Sequence, residues 1–379
     1  MKLAFLLYKY FPFGGMQRDF QRFAQESHRR GHSIRVYCIN WQGDIPDAIE
    51  LRQVPVKAWS NHRRNQKYYE WVQKDLAKEP VDGVIGFNKM PGLDVYYAAD
   101  SCYIDKSIYE RGRIYRLSRR FKHFKNYEES VFGGSSTTQI LLISETEKKK
   151  FKTHYFTDEA RMHMLPPGIS LDRRAKPNSD YLRIETRNQL QVSSEDVLLL
   201  FIGSGFIKKG LDRVIRAIAS FSIKKRQRLR LIVVGQDKEK RYKKLSSELG
   251  VAKNISFVGG RDDVPTLLSA ADLLIHPALD EAAGIVLLEA IVAGLPVLAT
   301  DVCGYAYHVA KANAGEVLKS PFRQKNLNEA LKKALNVETR AVWKKSALSY
   351  ADSEDLYSMH ITGAKLIEKF IKNKQEKDA

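Results

Sequence analysis

Residues 197–210, Val-Leu-Leu-Leu-Phe-Ile-Gly-Ser-Gly-Phe-Ile-Lys-Lys-Gly, decide the fold class. Six consecutive apolar residues bounded by glycine read as a strand buried on both faces. The glycine loop ends the strand and a helical pattern begins near Gly210, giving one βα unit. Outward from it the unit recurs. Strands are expected at 231–234, 254–258, 272–275 and 296–299. Helices are expected at 238–249 and 282–293, ended by Gly250 and Gly294.

The first half carries the same alternation. A strand over 2–8 leads to a turn at Phe13-Gly14-Gly15 and an amphipathic helix near 16–30, ended by Gly31. Strands follow at 33–39, 81–87, 139–143 and 161–165, with a helix over 65–79, before Pro166-Pro167-Gly168. The polar segment 172–196 reads as a linker and entry to the second half. These patterns predict an α/β protein of two Rossmann-like, doubly wound domains facing across a cleft: 1–168, and 169–354, with a C-terminal helix over 355–374 returning to the first.

The 379 residues are 44% hydrophobic and 28% charged, an ordinary globular mixture that excludes disordered, collagenous and disulfide-scaffold classes. Cys38, Cys102 and Cys303 are odd in number and far apart, which fits a reducing compartment and gives no zinc or iron–sulfur spacing. No apolar run reaches the roughly 18 residues of a membrane span. The opening stretch reads as a buried strand rather than a signal peptide, so a cytoplasmic protein is expected. Against 44 acidic residues stand 63 lysines and arginines, a net +19 that calls for an anionic partner.

Three loops are expected at the cleft. Gly14-Gly15 allows a close backbone approach to a ligand, or is a tight structural turn. Asp19, one turn later, points into the cleft or sits favourably near a helix N-terminus. The loop 203–210 is neither a dinucleotide fingerprint, because Lys208 occupies the third glycine position, nor a P-loop, because no Gly-Lys-Ser/Thr follows. Lys208 and Lys209 suggest a phosphate clamp by point charge, set against a solvated loop. In 280–290, Ala282, Ala283 and Gly284 open a helix with little side-chain cover, leaving amides for a pyrophosphate. Glu281 precedes that helix. Glu289, among apolar neighbours, needs a hydrogen-bonding partner such as a ribose or sugar hydroxyl, unless it lies at the edge of the apolar face. Together these features point to a nucleotide diphosphate donor on the second domain and an acceptor on the first, near Asp19, Asp100 and Lys89. No metal-binding spacing appears, so lysines and helix amides are expected to stabilise the leaving phosphate without a metal or other cofactor.

From Tyr103 to Phe132, Lys106, Arg111, Arg113, Arg116, Arg119 and Arg120 alternate with Tyr109, Tyr115, Phe121 and Phe124. The pattern predicts a helix over about 108–130 with a strong basic side, suited to an anionic interface. A nucleic acid is the rival partner, without a nucleic-acid module to accompany it. An ordinary solvated helix is the third reading.

Residues 6–15, 86–94 (Gly-Phe-Asn-Lys-Met-Pro-Gly-Leu-Asp) and 276–289 carry a resemblance to the bacterial lipopolysaccharide core glucosyltransferases, retaining enzymes of the two-Rossmann-domain (GT-B, family 4) type. The resemblance covers nearly the whole chain. It implies a UDP-glucose donor, the second heptose of the lipid A-linked inner core as acceptor, and an α-1,3 bond. It places Gly15 and Asp19 in the catalytic cleft and Asp100 near the acceptor or reacting sugar. Lys208 and Lys209 then hold the donor phosphates, Lys208 standing where the family often has arginine. Glu281 contacts the donor sugar, amides of Ala283, Gly284 and Ile285 surround the phosphate, Glu289 holds the ribose, and Arg173 is a further donor-site residue. The resemblance matches residues 103–132 to the part associated with the inner membrane face. Apart from it, the default expectation is a monomer that meets the membrane through one basic face and binds no nucleic acid. Retention can come from a double displacement or from attack of the acceptor on the face the phosphate leaves, and the resemblance favours the second. Another UDP-sugar donor, a non-enzymatic basic membrane- or nucleic-acid-binding module, and an NAD-dependent dehydrogenase are the alternatives.

Overall fold

The computed structural model describes residues 1–12, 15–109, 111–175 and 179–378. Phe13 and Gly14 of the first glycine turn, Glu110 of the basic stretch and residues 176–178 of the polar segment lie outside the described residues. The chain divides into two compact units, Met1–Gly168 with Ser358–Ala379, and Ile169–Tyr357.

The first unit contains β1 (Lys2–Leu6), β2 (Lys9–Tyr10), β3 (Ser33–Cys38), β4 (Asn40–Trp41), β5 (Ile49–Gln53), β6 (Gly83–Gly86), β7 (Val95–Ala98), β8 (Gln139–Leu142) and β9 (Met162–Met164). Seven of these form one parallel sheet in the order β5-β3-β1-β6-β7-β8-β9, while β2 and β4 pair separately. The second unit adds β10 (Val197–Ile202), β11 (Leu229–Val234), β12 (Ile255–Phe257), β13 (Leu273–His276), β14 (Val297–Thr300) and β15 (Gly315–Leu318), parallel in the order β12-β11-β10-β13-β14-β15.

The apolar run at 197–202 serves both faces of its sheet. Leu198 and Leu200 enter one core with Ile232, Leu274 and the helix Ile285–Val292. Leu199 and Phe201 enter the other with Val233, Ile275 and the helix Leu211–Ala219. A strand with no solvent face has no polar alternation, which is why it reads as a continuous apolar run.

Several elements differ from the sequence expectation. The helix expected over 108–130 is three pieces: Tyr103–Tyr109, a 3₁₀ turn Arg113–Leu117, and Arg119–Phe132. Ser118 starts the last of these by accepting from Phe121 N at 3.1 Å, an N-cap inside the basic run. The helix expected over 282–293 starts at Ile285, because Gly284 is left-handed (φ +78°) and Gly304 N and Tyr305 N donate to the carbonyls of Glu281 and Ala283. The polar segment 172–196 contains a docked helix, Ser179–Gln189. Its arginines do the docking: Arg183 and Arg187 reach the Asp272 carboxylate at 2.6 and 3.1 Å and donate to the carbonyl of Ala270. The C-terminal helix runs Met359–Asp378, beginning and ending four residues later than the expected 355–374. Within the first unit it packs closely, with Ile371 filling the space beside Gly83 and Arg30 holding Glu368 by two bonds of 2.6 and 3.0 Å.

Candidate functional site

In each sheet the chain leaves a central strand toward one edge and later returns to the strand's other side. The crevice beyond the carboxyl ends of such a strand pair is where parallel sheets bind ligands. In the second unit the pair is β10 and β13, and the following loops are 203–210 and 277–284.

These two loops are tied together. Gly205 caps a four-residue helix, Phe206–Lys209, and Gly210 (φ +75°) ends it. A Cβ on Gly210 would lie 2.2 Å from the Pro277 carbonyl oxygen, so only glycine lets the loops approach this closely. Leu279 N donates to Lys208 O at 2.6 Å, and Arg213 Nη1 donates to the carbonyls of Pro277 and Ala278, each at 3.0 Å. The result sets the Lys209 ammonium directly on Glu281 as an ion pair. Gly203 makes room for the lysine, since a Cβ there would sit 2.5 Å from Lys209 Cε. Lys208 extends outward, 3.5 Å from Asp280.

His276, the last residue of β13, lies behind Glu281 with Nε2 3.6 Å from Oε2. Burial alone would raise the Glu281 carboxyl, but His276 and the Lys209 charge outweigh it and hold it down at about 2. Burial lowers His276, and Lys209 adds to the effect, so the imidazole is neutral near pH 7.

Glu289 is 8% exposed on the helix Ile285–Val292, and Arg173 Nε lies 3.3 Å from its Oε1. Arg173 Nη1 is buried without a hydrogen-bond partner. The structure therefore brings Lys208, Lys209 and Glu281 together on the paired loops, with Ala283 and Gly284 in the approach to the helix that Ile285 begins and Arg173–Glu289 as a second charged pair.

In the first unit Gly15 begins the helix Gly15–Arg29 with open space where a Cβ would stand. Asp19 is engaged at both oxygens: Tyr97 OH donates to Oδ2 at 2.7 Å, and His360 Nε2 lies 3.0 Å from Oδ1. Asp100 lines a cavity of about 440 Å³ with Tyr8, Asn65, Asn88, Lys106 and Tyr127. Tyr8 OH, Asn65 Oδ1 and Tyr127 OH, all in its wall, are buried without hydrogen-bond partners. Lys89 also lines this cavity, but its ammonium is taken up by Glu128 (2.6 Å) and Ser101 O (2.8 Å). Two of its three N–H donors are used there.

Glu128 is fully buried and also accepts from the backbone N–H groups of Tyr103 and Ile104 and from Tyr155 OH. Its place inside the basic stretch gives no sign of that burial in the sequence. His276, Tyr97 and His360 were equally missed. The available signal for His276 was its place at the end of an apolar strand, five residues before Glu281.

The basic stretch turns several large apolar side chains outward: Tyr109, Ile114 and Leu117 are 78%, 85% and 79% exposed. Arg111, Arg113, Arg119 and Arg120 are exposed beside them. Among the described residues no helix is long and apolar enough to cross a membrane.

Comparison with known proteins meets this geometry. Residues 13–173 match the model of Glycosyltransferase Family 4, and residues 183–349 that of Glycosyl transferases group 1. The chain is 49% identical over 368 residues to the lipopolysaccharide glucosyltransferase WaaG of Escherichia coli (strain K12), spanning 97% of this chain and 98% of that one. The crystal structure of WaaG, a glycosyltransferase involved in lipopolysaccharide biosynthesis, superposes with a TM-score of 0.90 at 50% identity, covering 96% and 99% of the two chains. Anabaena HepE in complex with UDP and glucose shares the fold, with a TM-score of 0.73 at 18% identity over 97% and 99%. The two doubly wound parallel units are the GT-B fold, and the chain belongs to the WaaG-like family of lipopolysaccharide glycosyltransferases.

Proposed function

We propose that the chain transfers glucose, with retention, from UDP-glucose to the second heptose of the lipopolysaccharide inner core, making an α-1,3 bond. The observation that carries the donor half is the Lys209–Glu281 pair at the β10/β13 crevice, with Arg173–Glu289 nearby in the same unit. Lys209 and Lys208 receive the diphosphate, with the amides at Gly284 and Ile285 offered to the same charge. Glu281 accepts from donor sugar hydroxyls, and Glu289, oriented by Arg173, accepts from the ribose.

The acceptor half rests on the cavity beside Asp100. Its unpartnered Tyr8, Asn65 and Tyr127 atoms suit a polyhydroxylated ligand, because each regains a hydrogen bond when a sugar enters. Asp19, set by Tyr97 and His360, acts from the first unit on the reacting sugar, alongside Gly15. The acceptor oxygen forms a bond to C1 as the C1–phosphate bond breaks, on the same face. The acceptor proton passes to the departing phosphate oxygen, and the lysines stabilise the charge that develops there. No metal takes part in this scheme.

The exposed apolar and basic residues of 103–132 suit the anionic cytoplasmic face of the inner membrane, where a lipid-linked acceptor is presented. We place the protein there as a peripheral monomer.

Calorimetry of UDP, UDP-glucose, UDP-galactose and NAD binding in EDTA tests the donor assignment. UDP and UDP-glucose binding is expected, with NAD silent. Absence of UDP binding refutes the reading, and preference for UDP-galactose replaces the donor.

A further inference from the structure

We propose that His276 is a positioning residue for Glu281, taking over its carboxylate when Lys209 turns to the donor phosphates. The inference rests on the donor-site reading above and adds to it a residue and a step.

His276 is 0% exposed, stacked at 6.2 Å against the Phe201 ring of β10 on one side and facing Glu281 on the other. Neither ring nitrogen has a hydrogen-bond partner among the described residues. A buried polar group without a partner is rare and unfavourable, and an apolar side chain of similar shape would suit the Phe201 wall better. The Glu281 Oε2 atom that stands 3.6 Å from His276 Nε2 is the same oxygen that pairs with Lys209.

One carboxylate oxygen therefore has two candidate donors, and one of them has a second task. UDP alone leaves Lys209 shared between phosphate and Glu281, whereas a UDP-sugar also sets its hydroxyls on Glu281, so that the ammonium passes over to the phosphate and the carboxylate is left charged, largely buried and close to a new anion. A shift of well under 1 Å brings Nε2–H of His276 within hydrogen-bond distance. The imidazole then holds Oε2 and leaves Oε1 for the sugar. His276 thus contributes to recognition of the sugar, not of UDP, and acts through Glu281.

The test uses the full chain and three variants. His276→Phe keeps a ring but no donor. His276→Gln can place an amide near the Nε2 position, and His276→Asn is too short to do so. UDP and UDP-glucose affinities are read by calorimetry, folding by thermal melting, and KM and kcat by transfer. His276→Phe and His276→Asn are expected to keep UDP affinity and to lose about tenfold in UDP-glucose affinity, equivalent to one lost hydrogen bond of about 1.4 kcal/mol. His276→Gln restores most of it, and His276→Phe adds nothing further to Glu281→Gln. Should His276→Phe not fold, the Gln–Asn pair carries the same comparison. Equal loss of both ligands without rescue by Gln, or no loss in any variant, overturns the proposal. A wild-type protein that does not bind UDP refutes the donor-site reading itself, and the proposal falls with it.

Discussion

Lys209→Ala separates the two jobs assigned to one ammonium. In the free protein Lys209 neutralises Glu281, with the two side chains 20% and 19% exposed. Removing one partner of a buried pair is destabilising by about 3–5 kcal/mol, and partial exposure places this pair near about 3. For a unit of this size that lowers the midpoint of thermal unfolding by about 6–12 °C. In the complex the same change removes a charge-assisted hydrogen bond to phosphate of about 1.5–3 kcal/mol, or about 10- to 100-fold in UDP affinity. The double variant Lys209→Ala/Glu281→Gln tells the effects apart. It should recover most of the lost stability, because no buried charge is stranded, and none of the UDP affinity, because the clamp is still missing. Melting curves and calorimetry in EDTA on the three proteins suffice. If Lys209→Ala binds UDP like the wild type, the clamp is refuted and the pair is structural. If the double variant recovers UDP affinity as well, the single variant's defect was repulsion from an unpaired Glu281, and the direct phosphate contact is wrong.

Gly210→Ala should destabilise the second unit and weaken UDP binding together. A left-handed alanine costs about 1–2 kcal/mol, and its Cβ would meet the Pro277 carbonyl at 2.2 Å and push the two loops apart; an unchanged melting point and affinity would exclude this role for the glycine. Acid should destabilise the second unit through His308, which is 4% exposed, hydrogen-bonded to Tyr350 at 2.6 Å, and pushed down to about 4 by burial and by Lys311. The unfolded chain takes up that proton near pH 6.5 and the folded one only near 4. Stability is therefore level above about 6.5 and lost between 6.5 and 4, by up to about 3 kcal/mol, and urea unfolding of His308→Gln should show a flatter profile over that window. Ile114→Asp and Leu117→Asp should each reduce co-sedimentation with anionic vesicles by tenfold or more, from about 1.5–3 kcal/mol per buried side chain, with UDP affinity unchanged; retained sedimentation would remove these residues from the membrane contact.

The fold was legible wherever strands are buried on both faces, as at 197–202, and wherever glycine marks the end of a helix, as at Gly31, Gly250 and Gly294. It was hidden where burial is achieved by polar groups. The helix Ser179–Gln189 reads as a linker because its docking residues are arginines bonded to Asp272 and to carbonyls. The basic stretch reads as one helix because periodicity does not register a serine N-cap, and because Glu128 reveals its role only through partners distant in sequence, Lys89 and Tyr155. Lys209 and Glu281 stood out as single residues, while their pairing, which depends on two crossovers meeting at β10 and β13, was not legible in either loop alone.

That pairing also explains why the loop glycines matter more than their number suggests. Lys209 and Glu281 are 72 residues apart, yet their relative position is fixed by backbone contacts: Leu279 N on Lys208 O, Gly210 against Pro277, and Arg213 on two carbonyls of the facing loop. The frame is held by these contacts and not by the Lys209–Glu281 pair, so the proposed exchange of that pair for phosphate contacts leaves the scaffold in place. A change in the frame should therefore impair UDP and UDP-glucose binding alike, whereas a change at His276 should impair only the sugar-bearing ligand. The ratio of the two affinities, measured across Gly210→Ala and His276→Phe, distinguishes a displaced site from one that is in place but has lost its hold on Glu281.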